Sequence, residues 1–302
     1  PFNFAHANMS NELWFAEGFT QYYGELILKR AGFRTLDGYT NTLAGIVNSV
    51  LNTPGAERYS ALEMSRKAVF TDAGVSIDRN NYSNTFTSYY YYGAAIALAL
   101  DLRLRKDFNT TLDDYMQAVW KLHGKPERPY TIPDLQKALT GITNAKFAED
   151  FFSKYVNGIE KNDYEELLAS AGLILRKAAP GKATLGLLRL SNEPENGKLR
   201  VLSGTLTGTP AYQAGIDIGD FLLKIGETEI KSSKDVEAIL GNHKPGETIK
   251  VTFESKAGVK TADVKLQENA RLEVVAIETT GAAPSASAES FRNKWLSSKI
   301  KK

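Results

Sequence analysis

From about residue 12 to residue 170, apolar side chains recur three and four positions apart, the spacing of helices that bury one face. Phe19, Tyr23, Leu26 and Ile27 mark one such face over residues 12–30, and Gly32 is placed to stop that helix. Thr35 can cap a second helix that lines up Tyr39, Leu43, Ile46, Val47 and Val50, before Asn52, Thr53, Pro54 and Gly55 break it. Ser60 with Glu63 three residues on, and Asp163 with Glu166, are capping-box spacings. Residues 72–87 are rich in Asn, Asp, Ser and Gly and read as a loop. Residues 88–106 form the most apolar helix. Further helices are expected to start near Thr111, at Thr131 and around Phe147, and to stop near Gly124, Gly141 and Gly158.

The pattern then changes period. Short apolar runs at 185–190, 199–202, 221–225 and 249–253 are separated by turn residues, which predicts strands. One helix interrupts them, opened by Ser232 with Asp235, with Val236, Ile239 and Leu240 inward and Gly241 at its end. The fold class expected is therefore multidomain, α and β. A helical unit spans 1–174, a β-rich unit spans 175–268, and a tail at 269–302 carries a linker-like 281–285 and a short helix near 291–300.

Bulk properties narrow the function classes. The 37 Lys and Arg against 35 Asp and Glu leave a net charge of +2 and no basic stripe, which disfavours nucleic acid as a partner. The absence of cysteine excludes disulfides and thiolate metal sites. The longest apolar run, 89–100, is cut off by Asp101, Arg103 and Arg105 and falls short of the roughly 20 residues of a membrane span. The chain opens at Pro1 with no signal-peptide pattern and reads as starting inside a longer protein.

Three segments carry candidate chemistry. In Leu13-Trp14-Phe15-Ala16-Glu17-Gly18-Phe19-Thr20, the Glu17 carboxylate sits among aromatic groups, where an unpaired charge is costly. A cation should offset it, either in a structural ion pair or as a bound metal. In Ser88-Tyr89-Tyr90-Tyr91-Tyr92-Gly93-Ala94, the tyrosines can simply fill a core, or present a phenol to a site. His6, His123 and His243 show no pairing four residues apart and read as surface or structural residues.

The first two segments resemble the M61 (glycyl aminopeptidase) family of zinc metallopeptidases, and more broadly the gluzincin pattern of M1 aminopeptidases. The resemblance implies a thermolysin-like helical half-domain in which Glu17 is the third zinc ligand. It implies that Tyr90, three residues before Gly93, donates a hydrogen bond to the oxyanion, with Tyr89 as the other assignment. The family's Lys before that Gly is Tyr92 here. The HExxH helix that supplies two imidazoles and the general base is not in this sequence. The expectation is a C-terminal portion of a zinc-dependent, aminopeptidase-like enzyme acting on peptides or proteins, inactive alone. Family habit suggests a small N-terminal residue in the substrate, a bacterial source, and the periplasm or cell envelope rather than the cytoplasm.

The third segment is similar to PDZ domains of the protease-associated kind. Thr184-Leu185-Gly186-Leu187-Leu188 resembles their carboxylate-binding loop, and Thr209-Pro210-Ala211 through Gly215 and Gly219-Asp220 follow their pattern. The resemblance implies a C-terminal peptide held at Leu185, Gly186 and Leu187 and added as a strand beside 187–190, unless the groove is blocked or unused. The alternative function is a non-catalytic scaffold in which the PDZ-like unit alone does the work.

Overall fold

The computed structural model describes residues 5, 6, 8–72, 78, 80–191, 194 and 197–298. Pro1 and Ile300, the ends of two segments discussed above, lie outside them, as does most of 73–79.

Ten helices make the first part: α1 (Leu13–Arg30), α2 (Leu36–Leu51), α3 (Pro54–Arg58), α4 (Ala61–Thr71), α5 (Tyr82–Thr85), α6 (Tyr89–Asp107), α7 (Leu112–Val119), α8 (Ile132–Ile142), α9 (Ala145–Phe151) and α10 (Tyr164–Ala169). Their starts are set by side chains that satisfy otherwise orphaned N–H groups. Thr35 accepts from Gly38 N, and Ser60 with Glu63 and Thr111 with Asp114 form complete capping boxes. Single π-turns at Trp120–Gly124 and Phe152–Val156 prolong α7 and α9.

Helix α6 is the axle of this core, with Ala94 to Leu100 buried on every side. Its one buried charge, Asp101, accepts from Tyr22 Oη at 2.8 Å, Arg105 Nε at 2.8 Å and the Leu112 amide at 3.1 Å. That carboxylate is thus fully satisfied and fixes α1 and the start of α7 to α6.

Past α10 runs β1 (Leu173–Lys177), and the chain then builds a second unit with its own apolar core, from Ala183 to Leu266. Its elements are β2 (Ala183–Thr184), β3 (Leu199–Arg200), α11 (Pro210–Gln213), β4 (Phe221–Ile225), β5 (Thr228–Glu229), α12 (Ser233–Gly241), β6 (Thr248–Ser255), β7 (Gly258–Lys265) and β8 (Gln267–Glu268). The main sheet runs β3-β4-β6-β7 with β5 on β4, and β2 pairs antiparallel with β8.

The chain then returns to the first unit. Strand β9 (Leu272–Ala276) pairs antiparallel with β1, Leu173 opposite Ala276, and α13 (Ala286–Leu296) follows. Leu173, Val274, Ala276, Trp295 and Leu296 all belong to the helical core. Asn48 of α2 binds both backbone groups of Leu272, at 2.8 and 2.9 Å, and the Trp295 indole N–H donates to Tyr22 Oη at 2.9 Å. The β-rich unit is therefore inserted between two strands of the helical one.

The structure differs from the sequence reading in particular places. Residues 269–302 are expected as a tail and residues from 175 on as the β-rich unit, yet Leu175 of β1 and Leu272, Val274, Ala276, Trp295 and Leu296 pack on the helical core. No strand forms over 185–190: β2 ends at Thr184, and the irregular stretch after it makes one bridge, from Leu190 to Val201. Ile27, expected inward, is 56% exposed, because α1 turns Tyr22 and Leu26 to the core instead. The break after α2 is itself the start of α3, with Pro54 in its first turn. Among the described residues no helix is long and apolar enough to cross a membrane.

Candidate functional site

The site is built where α1 crosses the first turns of α6. Gly18 and Gly93 face each other there. A methyl group on Gly18 would overlap the Gly93 backbone, and one on Gly93 would overlap the carbonyl of Trp14. Only two glycines allow helices to touch backbone to backbone in this way. The contact fixes what lies beside it: Glu17 immediately precedes one glycine and Tyr90 stands one helical turn before the other. Packing on the far side locks α1 in place. Trp14 and Phe15 are buried, and the Trp14 amide donates to Ser65 Oγ at 2.9 Å.

Glu17 is half-buried, and its carboxylate lies beside the Tyr90 phenol, near enough to act on it. Burial, then the neighbouring Glu17 carboxylate, hold the Tyr90 phenol above its ordinary value. Tyr89, next in line and buried, donates to Asp72 Oδ2 at 2.8 Å. Burial and Asp72 together push its phenol up strongly. The two rings lie 5.0 Å apart, tilted by 30°. The result is a row from Asp72 through Tyr89 and Tyr90 to Glu17, in which both phenols are held above their ordinary values and Asp72 accepts from Tyr89.

Tyr92 points elsewhere. It is buried, and its hydroxyl accepts from Lys161 Nζ at 2.8 Å. The same ammonium donates to the carbonyls of Ala56 at 2.7 Å and Ile159 at 2.9 Å. Burial pulls this lysine down to about 8, against the pull of Glu57.

The sequence-predicted residues therefore divide. Glu17, Tyr89 and Tyr90 come together. Leu185, Gly186 and Leu187 lie in the other unit. His6 is exposed, His123 Nδ1 lies 3.1 Å from the Pro129 carbonyl, and His243 Nδ1 lies 2.7 Å from Glu247. Sequence reading missed Asp72, Lys161 and the steric roles of Gly18 and Gly93. The repeated glycine after an aromatic-rich stretch was the signal for the last two.

In the second unit Leu185 is buried and Gly186 holds φ at +109°. A Cβ on Gly186 would fall 2.7 Å from Thr209 Cβ, so glycine is required there twice over. Leu187 is 54% exposed. The loop faces Asn52, Pro54 and Glu57 across a cavity of about 380 Å³. Close by, the buried Asn84 of α5 donates to Thr205 O at 2.9 Å and accepts from Thr207 N at 2.7 Å. One amide thus reads the backbone of the β-rich unit with both its polar atoms, five residues before Tyr89.

Comparison with known proteins matches both units. Residues 1–96 match the family model of the M61 glycyl aminopeptidase, and residues 186–266 that of a PDZ domain. The chain superposes on an aminopeptidase N family protein from Idiomarina loihiensis with a TM-score of 0.84 and 23% identity, over 98% of this chain and 50% of that one. At that identity the likeness is one of fold. Two curated relatives match a stretch of 69 residues: the serine protease Do-like HtrA of Lactococcus lactis subsp. lactis (strain IL1403) at 38% identity, and that of subsp. cremoris (strain MG1363) at 36%. The chain spans half the length of the solved structure. The matched stretch is 23% of this chain and 17% of each HtrA.

Proposed function

We propose, with the M61 match over residues 1–96 as premise, that this chain carries part of the active site of a zinc-dependent, aminopeptidase-like peptidase. The observation that carries the reading is the glycine-to-glycine crossing of α1 and α6, which sets the Glu17 carboxylate beside the Tyr90 phenol. A carboxylate and a neutral phenol held side by side, at the edge of a core, are the pair needed to ligate a cation and to donate to an oxygen that gains charge.

The zinc itself needs three protein ligands in such a site. Among the described residues no group of three or more His, Asp or Glu side chains could hold a metal ion. These residues alone do not fit a catalytic zinc. In our reading Glu17 is one ligand, and two imidazoles come from a HExxH helix that is not in this sequence. The 302 residues by themselves are accordingly the inactive part.

What this chain's own groups do follows from their protonation. Tyr90, held above its ordinary value, keeps its proton through neutral pH. Its hydroxyl can turn from the Glu17 carboxylate to a substrate carbonyl oxygen as that oxygen becomes anionic, a contribution of about 3 kcal/mol in comparable sites. Tyr89 is committed to Asp72 and orients its neighbour by ring contact. Gly18 and Gly93 hold the spacing.

In the PDZ-like unit we propose that Leu185, Gly186 and Leu187 receive the C-terminal carboxylate of a peptide. A second reading makes this unit the only working part, on a helical platform. The open Leu187 beside the Gly186 turn favours it. The two readings separate on Glu17→Ala, made in protein that includes the HExxH helix and assayed for zinc by metal analysis. Loss of zinc is the outcome expected of a ligand, whereas full occupancy in the variant removes Glu17 from the site.

A further inference from the structure

One cavity beside α1 plays no part so far. It measures about 620 Å³ and lies between the start of α1 and the π-turn after α7. Ala16, Val119, Trp120, Pro129 and Tyr130 give it aromatic and aliphatic walls. We propose that it is a subsite for an apolar side chain, of leucine to phenylalanine size, on the peptide whose carbonyl lies at Glu17 and Tyr90. The proposal rests on the peptidase reading above.

Continuity with the site comes from α1. Ala16 lines the cavity and is followed at once by Glu17, about 3.8 Å on by Cα and roughly 100° round the helix. An extended peptide advances about 3.4 Å per residue, so its neighbouring residues reach the cavity from the Glu17–Tyr90 pair.

The walls are held by devices that serve no evident packing purpose. Trp120 is 61% exposed, while Trp14 and Trp295 are buried. Its indole lies across Gly124, where any Cβ would overlap the ring. The wide turn that puts it there closes with Lys125 N to Trp120 O at 2.7 Å, and π-turns of this kind cluster at functional sites. The returning loop is pinned by Arg128 N to His123 O at 2.9 Å, with Glu127 at φ +53°. Tyr130 is fixed edge-on to Phe15, 5.5 Å between centroids. An open aromatic face on a rigid bracket is what an apolar ligand group needs.

The polar groups are placed to leave that face apolar. The Glu12 carboxylate is occupied by Ser10 Oγ at 3.0 Å and the Asn11 amide at 2.9 Å. Glu127 and Arg128 are exposed and of opposite charge. The volume is far more than a glycine or alanine fills. The occupant is therefore a larger apolar side chain on that peptide.

Trp120 is also the reporter for the test. With the other two tryptophans buried, a ligand in the cavity acts on the emission of the exposed one. Purified chain is titrated with alanyl-leucine amide, alanyl-phenylalanine amide and alanyl-glycine amide. A saturable blue shift with the first two and not the third is expected. Ala16→Leu, which fills the cavity from an exposed helical position, should weaken it at least tenfold with unchanged circular dichroism. No saturable shift, an equal shift with the glycine peptide, or an unaffected Ala16→Leu would each overturn the subsite. In protein that includes the HExxH helix, Trp120→Ala should lower the preference for leucine over glycine at this position at least tenfold. An active enzyme with an unaltered preference also overturns it. A fluorescence response in a protein inactive on every peptide keeps the cavity as a binding site and removes the peptidase reading.

Discussion

The α1–α6 crossing and the 184–190 loop both depend on glycine, and they depend on it for opposite reasons. At the crossing, Gly18 and Gly93 are helical, and what matters is the absence of a side chain between two backbones. In the loop, Gly186 takes a left-handed conformation that other residues resist, at φ +109°, and the neighbour a methyl group would meet is the Thr209 side chain rather than a backbone. The first glycine pair fixes the relation between two distant parts of the chain and so brings Glu17 to Tyr90. The second shapes only its own turn and leaves Leu187 open. A site assembled by packing should fail globally, and a site assembled by a turn should fail locally.

The largest expected effect tests the packed site. Gly93→Ala forces a methyl group into the Trp14 carbonyl. Backbone cannot move aside as a side chain can, so the cost is at the upper end for overpacking, about 3 kcal/mol. Urea denaturation should register it, and the packing around the buried Trp14 should loosen at the same time. A variant as stable as the parent would mean that the crossing is not tight.

Asn84→Ala should come next. It leaves the amide of Thr207 and the carbonyl of Thr205 without their partner in a buried place, at a cost of about 2 kcal/mol. Because Asn84 joins the two units, the β-rich unit should begin to unfold separately, splitting one denaturation transition into two. Gly186→Ala should cost about 1–2 kcal/mol through strain at its φ. Its effect should be confined to peptide binding at the loop, with the α1–α6 crossing untouched.

The smallest effect concerns Lys161. Its folded value of about 8 lies below its ordinary 10.5. Below pH 8 the folded chain bears the whole cost of burying the ammonium. As pH rises from about 8 towards 10, the folded state releases that proton while the unfolded state keeps it, so stability should rise. Lys161→Met should flatten that rise in a pH series of thermal melts.

Sequence pattern reached the parts of this molecule whose determinants are local. The face of α2, from Tyr39 to Val50, is legible because helical period and burial coincide there, and the capping boxes at Ser60 and Thr111 mark starts that the structure keeps. The β1–β9 pair was not legible, since its partners stand about a hundred residues apart and only Asn48 and the helical core give them a reason to meet. The two π-turns leave no trace in period or composition. At the site, Glu17 and the tyrosines could be named from their motifs. Their meeting could not, because it follows from two glycines whose spacing in sequence says nothing of their contact. Lys161 reaches Tyr92 from 69 residues away, and no local pattern announces it.

The central claim is that the Tyr90 hydroxyl, delivered to Glu17 by the glycine crossing, donates to the reacting carbonyl oxygen. Turnover of Tyr90→Phe, measured in protein that includes the HExxH helix, tests it most directly. The account predicts a fall in kcat of about 100-fold or more, with KM and zinc content unchanged. A kcat within twofold of the parent would contradict it.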